Sequence, residues 1–522
     1  MNATAADGRD ISPWLVAVVV SLATFMEVLD TTITNVSLSH IAGSLSASAD
    51  ESTWVLTSYL VANGIILPLS GWLSGVFGRK RFFMLCIALF TVASFACGAA
   101  TSLEELVVFR LIQGLAGGGL QPVQQAIILD AFPPEKRGAV FGITGITLIL
   151  APIIGPTLGG LITDHYSWRW IFFINIPVGV FAFWMVGRVV RDPVHATAQG
   201  LKHLDGIGLG LIAIGLGALQ IALDKGQQKD WFDSNFINFM LALSAASLVG
   251  AVFWLLRQKD PTVDLRLFRD PAFGLSMILI FITGFALYGS STLLPLMVQT
   301  QFGYNATLAG LVLSPSALLL LFLMPVSGKL VGIYQSRYLI AFGMVMIALG
   351  MFYTSFVTPQ SDFNTFVMMR TVQVIGLPFL FIPTSTLAFS NIPPTMSSKA
   401  SALFSLGRNL GGSLGIAIAV SYQVRHTQIA QANLHRHLIP GSAPYEQTLA
   451  QVKASLMAHG QTALQASHSA MGYLYRELYH QSAILAYSDT FRFMSVLLIG
   501  GALLTMILPA NRPGKGAKAN PH

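Results

Sequence analysis

Two carboxylates three residues apart, Glu27 and Asp30, stand inside TFMEVLDTTITNVSL, a stretch flanked by enough apolar residues to cross a membrane. A charge at mid-bilayer costs roughly 2.5 to 3.5 kcal/mol on insertion scales, so an acid there has to be used or paired. At 100° per residue, Thr24, Glu27, Asp30, Thr31, Thr34 and Asn35 share one helical face, with Phe25, Leu29, Ile33 and Val36 opposite. Residues 105–129 repeat the design, with Arg110, Gln113, Gln121, Gln124 and Gln125 on one stripe beside Gly114 and Gly117. Two such stripes facing each other would line a cavity. Asp30 lies about 12 Å from the outer end of its helix and Arg110 about 7 to 8 Å from the outer end of its own, a difference an arginine side chain spans. Burial disfavours a charged carboxylate and a nearby guanidinium favours it, so this cluster can change protonation with its surroundings, as a proton-coupled transporter requires. Two acids against one base leave a negative charge for a proton or a cationic substrate. The competing reading is a structural ion cluster that fixes helix packing. The substrate wall is expected to include Asn35, Thr34, Gln113, Gln121 and Gln124, with Arg370 and Gln373.

The elements that must hold these side chains are membrane helices. The chain of 522 residues is 53% hydrophobic and 10% charged, with a mean hydropathy of +0.64, whereas soluble proteins carry about 25% charged residues. Apolar spans long enough for a hydrocarbon core of about 30 Å recur near 13–38, 54–76, 82–100, 105–129, 138–163, 168–188, 205–223, 236–256, 272–297, 307–330, 337–357, 363–390, 400–423 and 489–509. The first is too long for a signal-peptide core, so it is expected to be retained as a helix. Cys86 and Cys97 fall in one span about 16 Å apart along its axis and cannot pair without unfolding it.

Charge fixes the expected orientation. GRKR (78–81), EKR (135–137), Arg188, Arg191, Lys202, Arg257, Lys259, Arg266, Arg269, Lys329, Arg337, Lys399, Arg512, Lys515 and Lys518 fall on one side; Arg169, Lys225 and Lys229 fall on the other. The positive-inside rule thus selects fourteen spans with both ends cytoplasmic, and accounts for a net charge of +7 without nucleic acid. An internal repeat sorts the spans. PLSGWLSG (68–75) returns as PVSGKLVG (325–332), and Arg110 and Gln113 return as Arg370 and Gln373, each arginine 23 residues before a Pro-Pro pair. The expected fold is all-α and polytopic: a tail at 1–12, a six-helix bundle at 13–190, two inserted helices at 205–256, and a second bundle at 272–423 with 489–509. An extracytoplasmic loop at 424–488 and a basic cytoplasmic tail at 510–522 complete it. Duplicated bundles place a substrate site near the midplane between them.

These residues resemble the major facilitator superfamily, in its fourteen-span drug/proton antiporter branch and nearest the EmrB-type pumps, over almost the whole chain. LDTTITNVSL is similar to that branch's first-helix motif, RLIQGLAGG to its fourth-helix motif, GPTLGG to its fifth-helix motif, and WRWIFFINIPVG (168–179) is the most specific signature. The resemblance implies that Asp30 is the proton-linked acid with Arg110 as partner. It also implies that Gly155, Pro156, Gly159 and Gly160 serve a hinge, and that Gly71, Gly78, Arg79, Lys80 and Arg81 form a conformational loop motif. That motif departs from the family at Gly75, where an acid is usual, and Glu27 has no counterpart in the family pattern. Gly155 and Gly159, one turn apart, also suit close helix approach, while Pro152 and Pro156 favour a kink.

By the resemblance, the protein would export hydrophobic compounds across the inner membrane by alternating access, driven by protons. It would work beside a periplasmic adaptor and an outer-membrane channel. The polar segment 424–488 is the expected docking region, through helical patterns at 445–460 and 471–487, although a solvated loop fits equally. Its histidines, His426, His435, His437, His459, His468 and His480, lack metal-ligand spacing. No cofactor is expected beyond the coupling proton, since no G-x4-G-K-[ST] occurs to bind ATP; no H-x4-D occurs to serve an acyltransferase. A proton-coupled carrier of one metabolite, or a non-transporting protein on the same scaffold, are the alternatives.

Overall fold

The computed structural model describes residues 12–191, 205–258, 261, 263–436, 438 and 441–507. The tail 510–522, residues 1–11 of the amino-terminal tail, and Lys202, Lys259, His437, Arg512, Lys515 and Lys518 lie outside the described residues. The first bundle comprises α1 (Pro13–Val36), α2 (Leu38–Ser44), α3 (Ala49–Ser52), α4 (Trp54–Phe77), α5 (Arg79–Ala99), α6 (Leu103–Gly117), α7 (Leu120–Ala131), α8 (Arg137–His165), α9 (Trp170–Phe173) and α10 (Asn175–Val189). The inserted pair is α11 (Gly206–Lys225) and α12 (Asn235–Arg257). The second bundle comprises α13 (Pro271–Phe302), α14 (Ala306–Leu330), α15 (Ser336–Thr354), α16 (Phe363–Val374), α17 (Leu377–Ala388), α18 (Ser397–His435), α19 (Ala443–Ala458) and α20 (Ala463–Leu504).

Thirteen spans among the described residues are long and apolar enough to cross a membrane, and α8, bent by 40° between Pro152 and Ile154, makes fourteen. The bend follows from Pro152, which has no N–H for the helical ladder. Polar residues punctuate the chain where spans begin. Ser102, Asp270, Asn305 and Asp362 each accept a hydrogen bond from a backbone N–H in the first turn of the helix that follows. The turn from α4 into α5 needs Gly78, whose φ of 85° an L side chain rarely adopts.

Two expected spans, 105–129 and 363–390, each cross as one span, Leu103–Ala131 and Phe363–Ala388, with a two-residue interruption of the helix. α6 gives way to α7 at Gly118 and Gly119, and α16 to α17 at Ile375 and Gly376. A methyl group on Gly117 would lie 2.5 Å from the Tyr59 hydroxyl, so the interruption is held by close packing against α4. The bundles meet along two seams, α8 on α14 and α4 on α18, while α11 packs on α4 and α12. Small residues allow the contact: a Cβ on Gly138 would come 3.1 Å from the Gly328 carbonyl, and one on Gly71 would come 3.0 Å from that of Ser398.

The segment 424–488 differs from the expected loop. α18 continues through His435 and α20 begins at Ala463, with α19 between them packed along α20. The residue patterns at 445–460 and 471–487 are thus helical. At 1.5 Å per residue, α18 and α20 are about 58 and 63 Å long, twice the thickness of a hydrocarbon core, so both project well beyond it. Tyr422 stacks between His426 and Phe493, and His426 lies 3.5 Å from Asp489, tying the two helices together where they leave the apolar layer.

Candidate functional site

The polar stripe of α1 meets four other helices, and its two acids enter different environments. Asp30 is sealed: its Oδ2 lies 2.5 Å from Arg110 Nη1, while its Oδ1 accepts from Asn175 Nδ2 at 2.7 Å and Gln113 Nε2 at 3.1 Å. Arg110 also donates to the Gln113 Oε1 and to the Val55 carbonyl, and its guanidinium sits 4.3 Å over the Tyr59 ring. None of Asp30, Arg110, Gln113 or Asn175 is more than 1% exposed. A buried pair of this kind persists because both carboxylate oxygens find donors, and removal of one partner costs about 3 to 5 kcal/mol.

Glu27, one turn earlier, is the acid that reaches open space. Its Oε1 accepts from the Tyr59 hydroxyl at 3.0 Å and from Asn63 Nδ2 at 3.2 Å, and its Oε2 accepts from Gln121 Nε2 at 2.7 Å. The other end of the Gln121 amide accepts from Arg408 Nη2, a side chain of α18 in the opposite bundle. Two further bridges cross the same floor, Ser405 to Gln125 at 3.4 Å and Asn409 to Asn63 at 3.5 Å. The count of two acids against one base therefore fails: Arg408 supplies a second base, relayed to Glu27 through Gln121.

Above this floor a cavity of about 600 Å³ opens between the bundles. Glu27, Thr31, Asn35 and Gln121 line it from the first bundle, Tyr288, Ser291 and Asn409 from the second, and Gln220 and Asp224 from the inserted α11, with Gln227 just beyond its end. Its α1 lining runs only from Glu27 toward the carboxyl end, so it opens at the end opposite Gly78.

At the Gly78 end the bundles are closed. Arg79 pairs with Asp130 and donates to the Ser397 hydroxyl at 3.0 Å and the Pro394 carbonyl at 3.4 Å, and Arg137 donates to the Phe389 carbonyl at 2.8 Å. The acid missing at Gly75 is thus supplied by the end of α7. Lys80 reaches the Gly187 carbonyl at 2.7 Å within its own bundle, and Arg81 is exposed.

Of the expected cavity residues, Asn35 and Gln121 line the space, whereas Thr34, Gln113, Gln124, Arg370 and Gln373 do not. The Thr34 hydroxyl turns back to the Asp30 carbonyl, Gln124 is bound to Ser21, and Gln113 belongs to the sealed Asp30 cluster. Facing polar stripes interlock instead of leaving a gap, because unpaired donors in a low-dielectric interior cost more than close packing loses. Arg370 and Gln373 form their own cluster in the second bundle, with Ser290, Ser291 and Thr354. Gly155 and Gly159 abut Thr32 and Ile33 of α1, and Gly160 is buried in the same helix; Pro156 lines the cavity. Arg408 was legible as a charge inside the apolar run 400–423, and Asn175 stands within WRWIFFINIPVG; Tyr59 and Asn63 carry no signal separating them from ordinary span residues.

Duplicated bundles, an inter-bundle cavity closed at one end and a buried acid cluster at its floor agree with the sequence family. The model of the Major Facilitator Superfamily matches residues 20–416. The chain belongs to this superfamily. The multidrug export protein EmrB of Escherichia coli is 34% identical over 478 residues, 91% of each chain. EmrB of Haemophilus influenzae is 35% identical over 505 residues, 96% of each. The fatty acid resistance protein FarB of Neisseria gonorrhoeae is 34% identical over 92% of each. Among solved structures, the superfamily's proton:xylose symporter XylE bound to 6-bromo-6-deoxy-D-glucose aligns over 97% of both chains with a TM-score of 0.56 at 13% identity, a likeness of fold. This superfamily member is a multi-pass membrane protein of the transporter class, not an enzyme.

Proposed function

We propose that this protein exports hydrophobic drugs or toxic compounds across the inner membrane by proton antiport, alternating between a state open at one end and a state open at the other. The observation that carries the reading is the Glu27 carboxylate on the floor of the cavity, hydrogen-bonded to three neutral donors and within reach of whatever the cavity holds. A proton arriving from the open end neutralises Glu27, weakens its hold on Gln121 and so on Arg408, and favours parting of the floor. The sealed Asp30–Arg110 pair holds Tyr59 and α6 in place beneath and sets the field in which Glu27 takes its proton. Inward proton movement gains about 2.3 kcal/mol per 100 mV, enough to drive export when proton and substrate occupy the cavity in alternation.

With the basic Gly78 end on the cytoplasmic side, as the positive-inside rule favours, both termini are cytoplasmic and the cavity faces outward. The α18–α19–α20 projection then lies in the periplasm, where it would dock an adaptor connected to an outer-membrane channel. The names of the export relatives support hydrophobic drugs as the substrate class.

The test is proton release from purified protein on addition of a lipophilic drug. Wild type should release protons, Glu27→Gln should release none, and Asp30→Asn should release fewer, at a shifted pH. Equal release from all variants would refute the coupling role of this cluster.

A further inference from the structure

At an offset of 260 residues the buried arginine cluster of the first bundle returns in the second with its acid replaced. Arg110 and Gln113 return as Arg370 and Gln373, Ser94 returns as Thr354, and Asp30 returns as Ser290. The geometry repeats too. Arg370 Nη1 donates to Ser290 Oγ at 3.0 Å and to Gln373 Oε1 at 3.2 Å, where Arg110 Nη1 meets Asp30 and Gln113. The second bundle has thus kept the buried guanidinium and lost its counter-ion. Arg370 is 0% exposed, its Nε has no hydrogen-bond partner, and no carboxylate pairs with it among the described residues. Arginine does not escape such a site by losing its proton, so an unpaired buried guanidinium requires a negative charge from elsewhere.

The cavity can deliver one. Arg370 Nη2 donates at 2.8 Å to Ser291 Oγ, and Ser291 lines the cavity. Because the Ser291 oxygen accepts from Arg370, its own hydrogen points away from the guanidinium, and no acceptor takes it among the described residues. A hydroxyl polarised from behind by a cation is a strong donor toward an anion. We propose that Ser291, backed by Arg370, forms an anion-receiving subsite in the cavity wall. A singly charged group, either a free halide or the carboxylate of an amphiphilic substrate, accepts from the Ser291 hydroxyl and supplies the missing counter-charge. In the second case the proposal rests on the cavity being the substrate cavity.

The experiment measures equilibrium binding of sodium 4-octylbenzoate and of the neutral 4-octylbenzamide to the full-length protein in lipid nanodiscs, in sodium isethionate and in sodium chloride. Ser291→Ala and Arg370→Gln are compared with wild type. Ser291→Ala should weaken benzoate binding about tenfold and leave the amide unchanged, as expected for losing one charge-assisted hydrogen bond. Arg370→Gln should do the same where it folds, and Arg370→Lys should restore part of the loss. Chloride that competes with benzoate in wild type but not in Ser291→Ala identifies a free halide as an occupant; absence of competition together with the benzoate loss identifies the substrate carboxylate. Benzoate and amide responding alike to Ser291→Ala, or not at all, overturns the subsite. Proton release plays no part in this measurement, so failure of the antiport reading shows separately.

Discussion

At the residue scale, Asp30 and Glu27 have the same chemistry and one turn of helix between them, yet their surroundings differ. Asp30 has a cation and two amide donors and does not line the cavity, so under the proposed function its charge mainly holds α6 and α10 in place. Asp30→Asn should destabilise the fold by about 3 to 5 kcal/mol, because it strands Arg110, and Asp30→Asn with Arg110→Gln should recover part of that loss. Thermal unfolding of the purified variants reads both. Glu27→Gln should cost far less stability, since an amide still accepts from Tyr59 and Asn63, while abolishing drug-dependent proton release. The pair thus separates folding from coupling by one measurement of each. Both acids were conspicuous in the sequence as charges in a span, but which of them reaches the cavity depends on Arg408, Asn63 and Asn175, which come from helices distant along the chain.

At the scale of elements, the contact between α8 and α1 depends on Gly155 and Gly159, whose faces carry Thr32 and Ile33 with no room for a larger side chain. Gly159→Leu should therefore lower the yield of folded protein and abolish export, whereas Gly75→Leu, at an exposed position with open space around it, should be tolerated. A resistance assay together with membrane expression levels checks both. The glycine spacing was legible as a packing device; the partner helix was not. The helical projection poses a separate question. Replacing residues 436–462 by a short flexible linker should leave proton release by the purified protein intact and abolish drug resistance in cells, if the projection docks an adaptor. Unchanged resistance would remove the docking role.

At the scale of the molecule, the cavity is open at one end because Arg79, Asp130, Arg137 and the α8–α14 and α4–α18 seams hold the other end shut. Cysteines introduced by Gly71→Cys and Ser398→Cys, at a site where a Cβ would come 3.0 Å from the facing carbonyl, should cross-link on oxidation and trap this state. A third cysteine, Asn35→Cys, should then remain reactive to a membrane-impermeant thiol reagent added from the cavity side, and transport should return on reduction. Loss of Asn35→Cys labelling in the trapped protein would contradict the assignment of the open end.

What the sequence determined by itself were properties that lie within one segment or recur along the chain. Spans follow from the length of apolar runs against bilayer thickness, the two bundles from a repeat whose offset survives in Arg110 and Arg370, and the intramembrane acids from the cost of placing charge there. Tertiary structure alone decided which polar groups share a space. It interrupted the helices of two spans at glycines pressed against neighbours, extended α18 and α20 through what reads as a polar loop, closed the polar stripes on themselves, and brought Arg408 across the bundle interface to the Gln121 that holds Glu27. The physical reason is common to all four. Helix faces are local and follow from periodicity, whereas a hydrogen bond between helices depends on rotations and depths set jointly by every seam in the molecule.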